Sequence, residues 1–340
     1  MCSSSAIVSF WYVGYILVCT CYKDIMYFSL PKLKYRRNCN AISYFRSKVK
    51  IKRTNMNASI QRVLHFPITK IIVGIVVPFS LFVIIQNFAL KPFFYSIIPD
   101  KNIANPIIHC ISFLVLLVGY YFLFRFYDKR KITELSLAYL PKELLGGFIL
   151  GFSSISLSIF ILYLLGYYQP MSITTAHYPV KFFTVLVFAA IVEDLFHRGL
   201  IVRICENWLG THLTLVIAML VELQLHIYNP NTNFFSLILY LVWGFTGAML
   251  FIYTKRIWLP FFFHLGWNFS QPFYGSNLSG LNDMGSIIQS TFSGPELLTG
   301  GVFGIENSMI TLTFLLLIGI AFYYLAKREG KIVKSKLFKR

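Results

Sequence analysis

Acidic residues are scarce in this chain: 13 Asp and Glu stand against 31 Lys and Arg in 340 residues. Charged residues of both signs make up 13% of the sequence, where a soluble domain carries roughly 25%. The six cysteines (Cys2, Cys19, Cys21, Cys39, Cys110, Cys205) contain no CxxC pair, so neither a disulfide framework nor a thiolate metal site is expected. The HExxH helix of zincins is missing. So is the GxSxG serine elbow. "GSNLSG" at 275–280 falls outside the apolar runs and has no partner pattern, and no aspartate pair sits in two facing spans. Without a GxxxxGK[ST] phosphate loop, an ATP-driven pump is not expected. There is also no internal repeat of the kind many transporters show.

What remains is apolar. Hydrophobic residues make up 56% of the chain and the mean hydropathy is +0.65. Several runs approach the roughly 20 residues that cross a bilayer as a helix. They are continuous rather than alternating, which excludes a barrel. Because lipid cannot bond a backbone, the fold class expected is all-α: a polytopic bundle of about eight transmembrane helices. The spans are predicted near 70–90, 106–125, 145–167, 182–204, 211–228, 234–253, 257–271 and 309–326.

Charge placement gives an orientation. Twelve of the Lys and Arg lie in residues 1–70 and seven in the tail 327–340. Arg125, Lys129, Arg130, Lys131 and Lys142 fill one loop, and Lys255 and Arg256 another. The opposite loops carry only Lys91, Lys101 and Lys181. Both ends of the eight-span core are therefore expected in the cytoplasm, with the basic segments against anionic headgroups and no nucleic acid as partner. Residues 1–69 read as a basic N-terminal segment, 70–326 as the membrane domain and 327–340 as a basic tail. "AIVSFWYVGYILVCTCY" at 6–22 is apolar but short, and "MNASIQRVLHFPITKIIVG" from Met56 resembles an ordinary start, so part of 1–69 is expected to precede the true start.

Ionisable residues inside spans cost at least roughly 2.5–3.5 kcal/mol on insertion scales and mark sites by default. Three groups occur. "EDLFHR" puts Asp194 and Arg198 four apart on one helical face, with Glu193 and His197 on the adjacent stripe. Asp194 is thus expected to neutralise Arg198 and leave Glu193 free; the bland alternative is a structural ion pair with Arg198 reaching for the interface. "ELQLH" sets Glu222 one turn before His226, where it can orient the ring. "HLGWN" sets His264 and Asn268 on one face. If the three helices converge, Glu193, His226, His264 and Asn268 surround one cavity. A carboxylate can take a proton from water, two imidazoles can hold a zinc-type ion, and an amide can stabilise an oxyanion.

These motifs resemble the CPBP family of intramembrane proteases, which holds type II CAAX prenyl endopeptidases and bacterial Abi-like proteins. The family pattern is EExxxR, FxxxH and HxxxN or HxxxD, in that order. The stretch around Gly244 and Gly247 and "SGPELLTGGVFGIENS" at 293–308 are also similar, so the resemblance covers about 110–326. It implies an endopeptidase site open to the cytoplasm, with catalytic residues Glu193, His226, His264 and Asn268. Asp194, Arg198 and Glu222 would support them. Glu193 would activate water, helped by His226, while His264 and Asn268 meet the metal or the oxyanion. The implied cofactor is a divalent metal of the zinc type on Glu193, His226 and His264; a metal-free Glu/His mechanism also fits the family. The implied partner is a membrane-anchored or lipid-modified peptide or protein, and the implied location a bacterial inner membrane. Three positions depart from the pattern: Asp194 stands for Glu, His197 for an aromatic residue and Glu222 for Phe. A silent peptide-binding membrane protein and a proton-coupled transporter are the alternative readings.

Overall fold

A computed structural model describes residues 58–174, 178–282 and 285–335. The stretch 6–22 and Met56 lie outside the described residues. Contacts divide the chain into Met1–Thr69 and Lys70–Arg340. The described part of the first unit opens with helix α1, Ala58–Leu64.

Helix α2, Pro67–Ile85, passes through a π turn at Gln86–Leu90 into α3, Lys91–Ile97. Together they form one apolar span of 31 residues. Helices α4 (Lys101–Tyr127) and α5 (Leu140–Leu164) follow. Next come α6 (Tyr178–Asp194), a π-helical segment at Leu195–Val202, and α7 (Arg203–Leu209). The remaining long helices are α8 (Thr211–His226), α9 (Phe234–Thr254), α10 (Trp258–Phe273) and, after the short α11 (Glu296–Thr299), α12 (Met309–Arg328). Local chemistry sets several starts. Asp100 accepts from the Asn102 N–H, Asn233 and Ser236 form a capping box, and Ser308 accepts from the Thr311 N–H.

The protein is an integral membrane protein, mostly helical. Among the described residues, five helices are long and apolar enough to cross a bilayer, against the eight expected. The other three expected spans are helical but different in kind. α8 and α10 have 16 residues each, about 24 Å, which is short of a hydrocarbon core of roughly 30 Å. Most of α10 is buried in protein. The stretch from α6 to α7 carries the charges and is interrupted by the π segment. α10 is covered by protein over most of its length and α8 on the face that holds Glu222, and such covered positions are where polar residues are tolerated.

The expectation of an all-α chain also needs amending. Strands β1 (Tyr168–Ile173) and β2 (Ile288–Phe292) pair antiparallel, with Tyr168 opposite Phe292 and an irregularity between Pro170 and Ser172. They lie in segments outside the apolar runs, where backbone groups must find partners without a helix.

Helix α5 packs on α10 through small residues. A methyl group at Gly151 would collide with the Phe263 carbonyl, and one at Gly147 would stand 2.8 Å from the Leu259 carbonyl oxygen. This spacing of small residues lets backbones approach where no hydrophobic gain drives helices together.

The basic loops converge on one end of the bundle. Lys70 pairs with Asp128 at 2.6 Å, Lys255 with Glu206, and Arg256 with Glu143. The tail returns to the same end, where Val333 exchanges hydrogen bonds with Thr211. Glu134 is wholly buried there; Tyr120 Oη donates to it at 2.8 Å, Arg130 donates through both Nη atoms, and Arg203 Nε lies 3.3 Å away. Burial pushes the Glu134 carboxyl up, but the Arg130 hydrogen bonds and the charges of Arg203 and Arg130 outweigh it and hold the carboxyl below its ordinary value.

A carboxyl held low stabilises the fold fully above its unfolded value of about 4.3, and that stability is lost as pH falls through the lower folded value. Glu134→Gln is expected to cost about 3 kcal/mol at neutral pH. Melting curves of the detergent-solubilised protein should show the gap between wild type and variant closing toward pH 3.

Candidate active site

The π segment sets the geometry of the first motif. In an α-helix, residues five apart sit about 140° from one another around the axis. The wider π turn after Asp194 brings Glu193 and Arg198 together instead, with Nη1 to Oε1 at 2.6 Å. The Gly199 carbonyl of this segment accepts from Tyr120 Oη at 2.9 Å and Arg203 Nε at 3.0 Å, so the basic end of the bundle braces the wide turn.

Arg198 is therefore not reserved for Asp194, as the four-residue spacing predicts. Its guanidinium, 1% exposed, meets Glu193 at 2.6 Å, Glu222 at 2.9 Å and Asp194 at 3.4 Å. Nor is Glu193 left free: one of its oxygens is held. The other, Oε2, lies 3.6 Å from His226 Nε2. Glu222 is divided the same way. Its Oε2 takes the Arg198 bond, and its Oε1 lies 3.3 Å from His226 Nδ1.

Asp194 turns to α10 and lies 3.1 Å from His264 Nδ1, in hydrogen-bond contact. That same nitrogen is 4.0 Å from Glu193 Oε1. Asn268 lies one turn further along α10, half-buried, and its carboxamide has no hydrogen-bond partner among the described residues. The structure thus brings His226 and His264 each within 4.0 Å of a Glu193 oxygen and sets Asn268 one turn from His264 on the same helix. Exposure divides the cluster. The side chains of Asp194, Arg198 and Glu222 are at most 1% exposed, whereas Glu193 is 16% and His226 23% exposed. Asp194, Arg198 and Glu222 form a sealed floor, Glu193 and His226 are partly exposed, and His264 is buried, at 8% exposure.

His197 and Glu222, both departures from the family pattern, meet each other: Nδ1 lies 2.9 Å from Oε2. His197 therefore faces Glu222 and not Glu193. The polar pair occupies ground that two aromatic rings would otherwise fill.

Sequence reasoning missed several neighbours. Tyr240 stacks on His226 and Trp243 meets the edge of His264, each with ring centroids 5.3 Å apart. Their spacing of three on α9 was a visible sign of one helical face. Glu306, buried in the turn Ile305–Asn307, accepts from Trp267 Nε1 at 3.0 Å, Gln271 Nε2 at 2.9 Å and Ser279 Oγ at 2.6 Å. It anchors α10 on either side of Asn268. No local spacing announces this link, because 35 residues separate Gln271 from Glu306.

Residues that can hold a metal differ from the expected set. Among the described residues, Glu193, Glu222 and His226 have ligand atoms all within 4.8 Å of one another. His264 stands beside this group rather than in it.

Residues 175–270 match the family described as type II CAAX prenyl endopeptidase, Rce1-like. This segment is thus similar to that family. It contains all three motifs, so the family the motifs resemble is the family the match returns. The match is narrower than the expected 110–326 and ends before the segment 293–308. Neither a curated protein nor a solved structure matches the chain.

Gly244 and Gly247 acquire a physical reason within the matched segment. A Cβ at Gly244 would stand 2.9 Å from Glu222 Cβ, and one at Gly247 would stand 2.7 Å from Arg198 Nε and Nη2. Arg198 is fixed by carboxylates and cannot step aside. Gly247→Ala is expected to cost about 1–3 kcal/mol through this collision. Thermal melting in detergent checks the loss; the control Gly146→Ala on α5, where a Cβ would meet nothing within 4 Å, should not lower the melting temperature.

Proposed function

We propose that the chain is an intramembrane endopeptidase that hydrolyses a peptide bond near the C-terminus or membrane anchor of a membrane-associated substrate. The observation that carries the reading is the approach of His226 and His264, each to within 4.0 Å of Glu193, over a sealed, charge-paired floor, inside a segment that matches the Rce1-like family. The family's name supports a lipid-modified C-terminal tail as substrate class. The distribution of Lys and Arg supports a plasma membrane, as in a bacterial cell, with the basic end of the bundle in the cytoplasm.

In the proposed reaction, Glu193 takes one proton from water while the water oxygen attacks the scissile carbonyl carbon. His226, beside the free oxygen of Glu193, orients that water. Charge gathers on the carbonyl oxygen, where the Asn268 amide and His264 donate to it. Asp194 accepts the Nδ1 proton of His264 and holds the ring in place. The C–N bond then breaks, and the proton on Glu193 passes to the leaving amine. Arg198 keeps Glu193 ionised and fixed. The donor set also fits a divalent metal of the zinc type, with Glu193 and His226 among its ligands. When bound, such an ion supplies Lewis-acid polarisation of water or carbonyl.

Glu193→Gln is expected to lower cleavage by at least about 100-fold while the protein stays folded and inserted. Asn268→Ala should cost about 10²–10³ in kcat with little change in KM. A comparison of membrane peptides from cells carrying wild type or Glu193→Gln identifies the substrate. Identical peptide profiles, with both proteins present in the membrane, sink the endopeptidase reading.

A further inference from the structure

The acid that departs from the family pattern is placed as a ligand. Arg198 holds the rear oxygens, Oε1 of Glu193 and Oε2 of Glu222, at 2.6 and 2.9 Å. Of the front oxygens, Oε2 of Glu193 lies 3.6 Å from His226 Nε2 and Oε1 of Glu222 lies 3.3 Å from His226 Nδ1, and ligand atoms of the three residues all lie within 4.8 Å of one another. Glu222 is wholly buried, and its Oε1 has no hydrogen bond. A buried carboxylate oxygen without a donor costs the full desolvation penalty unless something meets it.

The imidazole is arranged to match. His226 Nδ1 lies 3.1 Å from the Glu222 carbonyl oxygen. The tautomer that donates there leaves Nε2 with its lone pair. Metal-binding histidines are commonly fixed in this way, by a carbonyl on the second nitrogen. Two ligands each about 2.0–2.2 Å from a tetrahedral ion lie roughly 3.3–3.6 Å apart. The Nε2 to Oε2 separation of 3.6 Å meets that requirement.

Charge points the same way. Three carboxyl groups, those of Asp194, Glu193 and Glu222, share the one guanidinium of Arg198. One divalent cation supplies two positive charges. The partial exposure of Glu193 and His226 leaves one side open, as in sites with three protein ligands and a fourth position for water.

We infer that Glu193, Glu222 and His226 form a three-ligand site for a divalent cation of the zinc type, with Glu222 as third ligand and His264 outside the coordination sphere. The inference builds on the proposed active site, but its test does not need cleavage. Full-length protein in detergent, stripped with a chelator, would be titrated with Zn²⁺ against a competing indicator. One equivalent is expected to bind. Glu222→Gln should weaken binding by at least about 100-fold, more than loss of a group that merely orients a ligand. Glu222→Asp keeps the charge facing Arg198 but shortens the reach, and should weaken binding as well. His264→Ala should leave the affinity unchanged. A measurement on unaltered protein covers the case in which the variants do not fold: X-ray absorption at the zinc edge should count one imidazole. Two imidazoles, no bound zinc, or wild-type affinity in folded Glu222→Gln would each overturn the assignment. Zinc bound through one imidazole with no peptide cleaved would uphold the site and refute the endopeptidase reading.

Discussion

Everything in the polar centre depends on one guanidinium. Arg198 sits among three carboxylates from two helices with 1% of its side chain exposed. A buried charge of this kind persists only if its donors are used and its charge is answered. Both Nη atoms of Arg198 donate and three carboxyl groups answer its charge, which fixes which oxygen of Glu193 and of Glu222 is occupied and which is available. The π segment lets one helix deliver two of those carboxylates and the guanidinium itself. Gly247 leaves room for the guanidinium against α9.

A second design element follows from membrane thermodynamics. Five long helices present apolar surface, while the shorter or interrupted ones carry the polar residues inside protein. The bundle thereby keeps its ionisable groups away from hydrocarbon, where each would be expensive. The basic end ties to the centre through Tyr120 and Arg203, which bond the Gly199 carbonyl within the wide turn. Interfacial charge and interior chemistry are thus mechanically linked through one backbone oxygen.

Much of this was legible in the residues themselves. The three motifs name Glu193, His226, His264 and Asn268, and the structure brings His226 and His264 each within 4.0 Å of Glu193. The existence of long apolar helices was plain from composition. The pairing of Arg198 was misread because four-residue spacing assumes an α-helix, and nothing in "EDLFHRGL" declares a π turn. Of the eight stretches expected to span, five form helices long and apolar enough to cross a bilayer among the described residues, and hydropathy does not separate a lipid-facing helix from one buried in protein, as α10 shows. The β1–β2 pairing joins segments more than a hundred residues apart, which no local pattern reveals. Glu222 looked like an intrusion in sequence; in the structure one of its oxygens accepts from Arg198 and the other is left without a donor.

The return of the tail has a practical side. Val333 gives its carbonyl to the Thr211 N–H and its own N–H to the Thr211 hydroxyl, each at 2.9 Å. Residues just past α12 therefore act as a clasp on the junction where α7 meets α8, the helix of Glu222 and His226. Purification handles and fluorescent reporters joined upstream of this clasp would remove both Val333 bonds from Thr211, leaving its hydroxyl the Glu206 contact alone, and loosen the start of α8. Fusion partners belong downstream of Ser335.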